Sequence, residues 1–142
     1  MKYRMGAALL SLIGFLVATY LYLFKLGMIP GLACGTGGCE TVQASPWATF
    51  LGLPVALIGV LGYLACLVLA IIGMQQGEEE RHWSDALLLA GATAGVLFTG
   101  WLTYAEAYLI EAWCRWCLGS AAIITLLFLA AAFGWRSLRP AR

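Results

Sequence analysis

The sequence predicts an all-α integral membrane protein in which residues 1–142 form a single bundle of four transmembrane helices. Hydrophobic residues make up 63% of the chain, well above the roughly 45–50% found in soluble domains. They are concentrated in four long stretches, each near the ~20 residues that a helix needs to cross a bilayer. Charged residues make up only 11% and the net charge is +1, so the composition argues against a nucleic-acid-binding surface.

The four stretches are expected to pack side by side, because glycines inside them let membrane helices approach closely. The first connection, 27–49, is polar and rich in glycine, and we expect an ordered loop or a short interfacial helix outside the membrane. A charged turn, 75–84, follows the second helix, and its last residue, Ser84, is a candidate N-cap of the third helix. The predicted helices span residues 5–26, 50–74, 85–109 and 114–135.

The distribution of Lys and Arg predicts the orientation of the bundle. Positive charges are enriched near the chain ends and in the turn 75–84, whereas the opposite side has only Lys25 and Arg115. The positive-inside rule then places both termini in the cytoplasm and the 27–49 loop outside. A cleaved signal peptide fits less well, because the first apolar run exceeds the about 7–15 residues of such a segment.

The cysteines at the start of the fourth helix have the C-x-x-C spacing of a redox-active dithiol. Residues three apart share a helix face, and unpaired N–H groups at a helix start favour a thiolate at Cys114. Arg115 adds positive charge beside it, which is typical of reactive cysteines. Cys114 is therefore expected at an aqueous edge, and Cys117, one turn deeper, is expected to face the bilayer.

A second pair lies in the outer loop, on the same side of the membrane. Three of the four residues between Cys34 and Cys39 are glycines, so this segment can change conformation at little steric cost. Such freedom suits a cysteine that exchanges partners through mixed disulfides. The fifth cysteine, Cys66, lies in the middle of the second helix and is expected to be a packing residue.

Two cysteine pairs on one oxidising face favour a disulfide relay over three alternatives. A four-cysteine zinc site would suit a reducing compartment better. A small membrane carrier for a soft metal such as mercury or copper would use the pairs as transient ligands, but only Cys66 lies at depth. A disulfide-stabilised membrane subunit without chemistry is the third alternative.

Several motifs, taken in chain order, resemble those of the vitamin K epoxide reductase family, in particular its bacterial quinone-reducing members. They are the loop pair Cys34 and Cys39, then Ser45, then WATFLGLP at 47–54 and finally CRWC at 114–117. The DsbB type of membrane disulfide generator carries its C-x-x-C in the first outer loop, so its two pairs occur in the opposite order.

The resemblance implies a four-helix bundle around a quinone, either ubiquinone or menaquinone, in the inner membrane of a bacterial cell. Cys34 would take electrons from a thioredoxin-like (DsbA-like) periplasmic protein. Cys39 would pass them to Cys114, and Cys117 would be adjacent to the quinone. Ser45 matches a loop serine that assists near the active cysteines, and an N-cap role is its alternative. Many bacterial relatives carry a fused thioredoxin-like domain that this sequence lacks, so we expect a separate partner.

The resemblance also suggests residues for the quinone site. Trp47, Ala48, Phe50 and Ala121 are expected to line it together with Cys117. Ala48 and Ala121 take the positions at which vertebrate epoxide reductases carry Asn and Tyr, so an epoxide is not an expected substrate.

Two acidic residues, Glu106 and Glu111, lie near the outer end of the third predicted helix. For both we favour solvation at the membrane interface, with a proton relay to the reduced quinone as the alternative. No resident metal is expected.

Overall fold

A computed structural model describes residues 2–30, 38–77 and 80–138. Within this part of the chain, four helices are long and apolar enough to cross a membrane, which confirms the predicted four-helix fold. The elements in chain order are α1 (Lys2–Lys25), α2 (Gly38–Ala44), a 3-10 helix (Pro46–Ala48), β1 (Thr49–Phe50), β2 (Leu53–Pro54), α3 (Val55–Gln75), α4 (Arg81–Tyr104), a π-helical turn (Ala105–Ile110) and α5 (Arg115–Leu138).

The core of the bundle is built largely from small residues, which bring the helices close together. Ala7, Ala70 and Ala92 are buried there, and Cys66 is buried with them, in agreement with a packing role. A Cβ at Gly95 of α4 would lie 2.7 Å from Ile124 of α5, so this contact requires glycine. Large aliphatic side chains such as Leu97 point outward, where lipid would solvate them.

The outer connection contains the short helix α2. A short helix was one of the two forms expected for this segment, and an ordered loop was the other. Ser45 ends α2, and its hydroxyl donates to the Val42 carbonyl at 2.6 Å. Ser45 also precedes Pro46, the first residue of the 3-10 helix, but its side chain makes no cap hydrogen bond there. The Ser45 side chain therefore satisfies a carbonyl at the C-terminal end of α2.

Residues 49–54 form a β-hairpin, whereas the sequence predicted that the second membrane helix begins at residue 50. Phe50 pairs with Leu53 in the antiparallel ladder, and the two turn residues, Leu51 and Gly52, have φ of 53° and 82°. Two successive left-handed residues are typical of a tight hairpin turn. The helix begins at Val55 because Pro54 disfavours helical conformation in the residue before it.

The third membrane helix begins at Arg81, four residues earlier than predicted, and Ser84 is not its N-cap. Glu80 holds that position. Ser84 is fully buried against α3, where its hydroxyl hydrogen-bonds the Gln76 side chain at 3.0 Å. The sequence around Ser84 does not distinguish a serine at the N-cap from a buried serine one turn inside the helix.

A buried ion pair joins three helices at the end of the bundle where α3 ends and α4 begins. The Arg4 guanidinium of α1 donates to the Asp85 carboxylate of α4 and to the Gly73 carbonyl of α3. Arg4 and Asp85 are both buried. Arg4 is also one of the positive charges near the N-terminus on which the predicted membrane orientation depends.

Candidate active site

The C-x-x-C pair lies where α5 begins, at the opposite end of the bundle from the Arg4 ion pair. Cys114 immediately precedes the helix and Cys117 lies in its first turn. Both are free thiols, and the Cys117 N–H donates to the Cys114 sulfur at 3.2 Å. The helix start therefore directs backbone donors at the first cysteine, as the spacing predicted.

Cys114 is fully buried, which corrects the expectation of an aqueous edge. Its exposed fraction is 0%, and it packs in a small apolar cluster with Leu21 of α1, Val42 of α2 and Ala56 of α3. Trp116 covers the same region, with its ring 4.9 Å from that of Tyr20. The second cysteine, Cys117, is only partly buried.

The pKa of the Cys114 thiol is lowered below its usual value, chiefly by a hydrogen bond from the Cys117 thiol. The backbone N–H groups of Cys117 and Trp116 act in the same direction, while burial and the nearby Glu106 oppose them. Arg115, which was expected to contribute, is exposed and is not among the groups that shift this pKa. The expected thiolate stabilisation is present, but it comes from the helix start and the partner cysteine.

Helix α2 packs over the C-x-x-C pair. The Gln43 amide donates to the Cys117 sulfur at 3.6 Å, and the Lys25 ammonium donates to the Gln43 carbonyl at 2.9 Å. Gln43 is buried by these contacts. Residue 39 belongs to the first turn of the same helix, four positions before Gln43, whereas Cys34 lies outside the described residues.

Glu106 belongs to the site, contrary to the expectation that it is solvated at the membrane interface. It is only 3% exposed, so solvation at the interface is wrong for this residue. Its carboxylate accepts the Cys114 N–H at 3.2 Å and also interacts with the Cys117 thiol as a hydrogen-bonding neighbour. Glu111 is exposed, as expected. The signal that could have distinguished the two was the position of Glu106 inside a membrane span, where an ionisable residue indicates function by default.

A cavity of about 640 Å³ extends from Glu106 and Cys117 into the bundle, between α3, α4 and α5. Its wall is overwhelmingly apolar, and its few polar side chains include Tyr63, Thr103 and Ser120. The Tyr63 hydroxyl is fixed by Ser120, whose carbonyl and hydroxyl oxygens each lie 2.9 Å away. An apolar cleft with a few convergent polar groups is typical of small-molecule sites.

The residues expected to line a quinone site are only partly brought together. Cys117 and Phe50 both line the 640 Å³ cavity. Trp47 lines an adjoining cavity of about 380 Å³, to which Phe50 also belongs. Ala48 is buried and Ala121 partly buried, and neither is among the lining residues of these two cavities.

Among residues 2–30, 38–77 and 80–138, no group of three His, Cys, Asp or Glu side chains lies close enough to hold a metal ion. Nothing in this part of the chain favours the soft-metal carrier considered above.

A comparison with known protein families matches most of the chain. The model of the vitamin K epoxide reductase family matches residues 6–132. The matched segment includes the hairpin, Glu106 and the C-x-x-C pair.

Proposed function

Because the chain belongs to the vitamin K epoxide reductase family, and is therefore a membrane oxidoreductase, we propose that it generates disulfides by oxidising a thioredoxin-like protein and reducing a membrane quinone. The observation that carries the proposal is the position of Cys117, which lies both on the wall of a large apolar cavity and in hydrogen-bond contact with the helix that begins at residue 38.

The cavity suits a quinone of either ubiquinone or menaquinone type. Its apolar wall matches an aromatic ring with an isoprenoid chain, and Ser120, Tyr63 and Glu106 are the polar groups that could orient ring oxygens. A bound quinone would supply the oxidising power by accepting two electrons and two protons, while the protein supplies position and electrostatics. Cys117 is the sulfur placed to deliver those electrons.

The second cysteine pair would connect this site to the outside. We assign the relay in three exchanges: the partner reduces the Cys34–Cys39 disulfide, Cys39 attacks the Cys114–Cys117 disulfide, and Cys34 then attacks Cys39 to release Cys114. The lowered pKa of Cys114 favours the last exchange, because a thiol of low pKa leaves faster.

The packing of α2 supports this relay. Four helical residues rise about 6 Å, which is the distance along α2 between residue 39 and Gln43, the residue in contact with Cys117. Bridged cysteines have Cα atoms about 4.4–6.8 Å apart. A shift of α2 along its axis by about one helical turn would bring residue 39 to the place that Gln43 now takes beside the C-x-x-C pair.

The proposed location is the inner membrane of a bacterial cell, with both cysteine pairs on the periplasmic side. This orientation follows from the excess of Lys and Arg at the other end of the bundle, and it places the pairs where disulfides persist.

The test is quinone reduction by the purified protein with two donors, a small dithiol and a reduced thioredoxin-like protein. Cys114→Ser and Cys117→Ser should lose activity with both donors. Cys34→Ser should lose it with the protein donor but retain it with the dithiol, which can reach the inner pair directly. Glu111→Gln, an exposed change outside the cavity, should behave as wild type. Equal loss in Cys34→Ser with both donors, or quinone reduction without Cys117, would contradict the proposal.

A further inference from the structure

Glu106 is a buried carboxylate inside a membrane span, and no described residue forms an ion pair with it. A buried charge without a cation is strongly disfavoured, so a carboxylate in this position requires a reason. The ionisable groups that interact with it are Cys114 and Cys117. An unpaired acid in a membrane span whose neighbours are two redox-active thiols is placed for proton chemistry.

The backbone around Glu106 holds the carboxylate against the cysteines. A π-helical turn over Ala105–Ile110 ends α4, and Glu111 closes it with φ of 57°. The Glu106 carbonyl accepts the N–H groups of Glu111 and Ala112, while its carboxylate accepts that of Cys114. One residue thus fixes the whole connection between α4 and α5. Single π turns inside helices are frequent at functional sites.

We propose that Glu106 is the proton-transfer residue of the Cys114–Cys117 pair, accepting the proton of the Cys117 thiol and passing it into the cavity toward the quinone. This inference rests on the proposed function and names a group that the cysteine relay alone does not supply. Glu106 is suited to the role because it interacts with Cys117 and lines the same cavity.

The reaction balances with Glu106 as a carrier. Two S–H bonds break and one S–S bond forms between Cys114 and Cys117, which together lose two electrons and two protons. The quinone gains the two electrons, and its two carbonyl oxygens become hydroxyls by taking up the two protons. Glu106 takes the proton of Cys117, passes it to one quinone oxygen and so returns to its starting state, while the proton of Cys114 goes to the other oxygen.

Glu106→Gln is the informative variant, because the amide oxygen can still accept the Cys114 N–H but the side chain cannot exchange a proton. With a dithiol donor, its quinone reduction should fall by about 100-fold or more, within the range for loss of a general acid–base group. Glu111→Gln removes the same charge from an exposed position five residues away and should retain the wild-type rate. A Glu106→Gln rate within about threefold of wild type would overturn the proposal.

A second measurement needs no quinone. The reduction potential of the Cys114–Cys117 pair is measured against pH in dithiol–disulfide buffers, using quinone-free protein. Because a carboxylate that exchanges protons with a thiol alters the number of protons taken up on reduction, wild type and Glu111→Gln should show a change of slope that Glu106→Gln lacks. Identical profiles for all three proteins would overturn the role of Glu106.

The two readouts separate the possible failures. If wild-type protein itself reduces no quinone, the proposed function fails, and the potential still reports whether Glu106 and the thiols share protons. If Glu106→Ala loses activity and added formate restores it, proton transfer is supported. Lost activity that formate does not restore, together with an unchanged slope in Glu106→Gln, would assign Glu106 a purely structural role and refute the proposal.

Discussion

The lowered pKa of Cys114 is caused by groups that are close to it in space. Arg115, the charged residue that follows it in sequence, is not one of them. The Cys117 thiol is the largest contributor to its lowered pKa, and two backbone N–H groups add to the effect. Arg115 points to solvent. The two cysteines are therefore linked, because the Cys117 thiol stabilises the thiolate form of Cys114.

Removing the Cys117 hydrogen bond should raise the pKa of Cys114. A lowered pKa means that the thiolate is present above that pKa and is lost as the pH falls through it. In Cys117→Ala the transition should move to higher pH, whereas Cys117→Ser keeps a hydroxyl donor and should move it less. The measurement is the pH dependence of Cys114 labelling by a small alkylating reagent, with Cys34, Cys39 and Cys66 replaced in the two variants and in the parent protein that keeps Cys117. Coincident profiles would show that Cys117 does not stabilise the Cys114 thiolate.

Gln43 should matter for turnover through its contact with Cys117. Its amide donates to the Cys117 sulfur at 3.6 Å, and a hydrogen bond of this kind contributes about 1 kcal/mol. Gln43→Leu should therefore slow quinone reduction by about fivefold while leaving the fold intact. Gln43→Glu, which places an acceptor where the donor stood, should slow it more. Equal rates in wild type and both variants would contradict this role.

At this scale the sequence predicted that Cys114 and Cys117 lie together at a helix start, and it did not predict the buried acid beside them. The C-x-x-C spacing at a helix start is sufficient to place Cys114 and Cys117 together. The burial of Glu106 depends on the π-helical turn and on the left-handed conformation of Glu111, and neither leaves a signal in residue types. Glu106 lies inside the predicted span 85–109 and Glu111 lies outside it, and this difference in position is the sequence signal that separates them. The turn between them directs Glu106 inward.

At the scale of the helices, the packing of α1 against α3 depends on a glycine, Gly14. A Cβ at Gly14 would overlap the ring of Tyr63, whose hydroxyl is bonded to Ser120 of α5. The glycine therefore allows a tyrosine to reach across from α3 and connect three helices beside the cavity.

Gly14→Ala should displace Tyr63 and lower the free energy of unfolding by about 1–3 kcal/mol, the usual cost of overpacking. Gly6→Ala is the matched control in the same helix, since a Cβ there has no atom within 4 Å. The control should be neutral or slightly stabilising, because alanine is the better helix former. Thermal unfolding in detergent compares the two proteins. A loss in Gly6→Ala equal to that in Gly14→Ala would remove the steric explanation.

Element boundaries were less predictable than element identity. The apolar run from Phe50 onward has the composition of a membrane helix, yet its first five residues form a hairpin. Hydropathy does not register the turn at Leu51 and Gly52, while Pro54 does mark the true helix start. The apolar content fixes the number of membrane helices, and local backbone preferences decide where each one begins.

The two ends of the bundle differ: one contains a buried ion pair, and the other contains the C-x-x-C pair. The buried pair of Arg4 and Asp85 joins α1 and α4, and the Gly73 carbonyl adds α3. At the far end, the short helix α2 and the C-x-x-C pair contact each other through few polar bonds. A buried ion pair at one end and few polar contacts at the other suit the disulfide exchange proposed above, which requires α2 to move while the bundle stays folded.

Breaking the anchor should destabilise the whole bundle. Asp85→Ala leaves the Arg4 charge buried and unpaired, and we expect a loss of about 3–5 kcal/mol in the free energy of unfolding. The double variant Arg4→Leu with Asp85→Leu should lose less, because no uncompensated charge remains. Lys2→Ala, an exposed change in the same helix, is the control. A double variant less stable than Asp85→Ala would contradict this account.

The enclosure of Cys114 also bears on how the protein survives oxidants. Peroxide attacks thiolates, and repeated attack converts them irreversibly to sulfinic and sulfonic acids. A thiol of lowered pKa is the first target of peroxide, and Leu21, Val42 and Ala56, which pack in one cluster with Cys114, restrict access to this sulfur. The fold thus combines a readily ionised sulfur with protection from overoxidation.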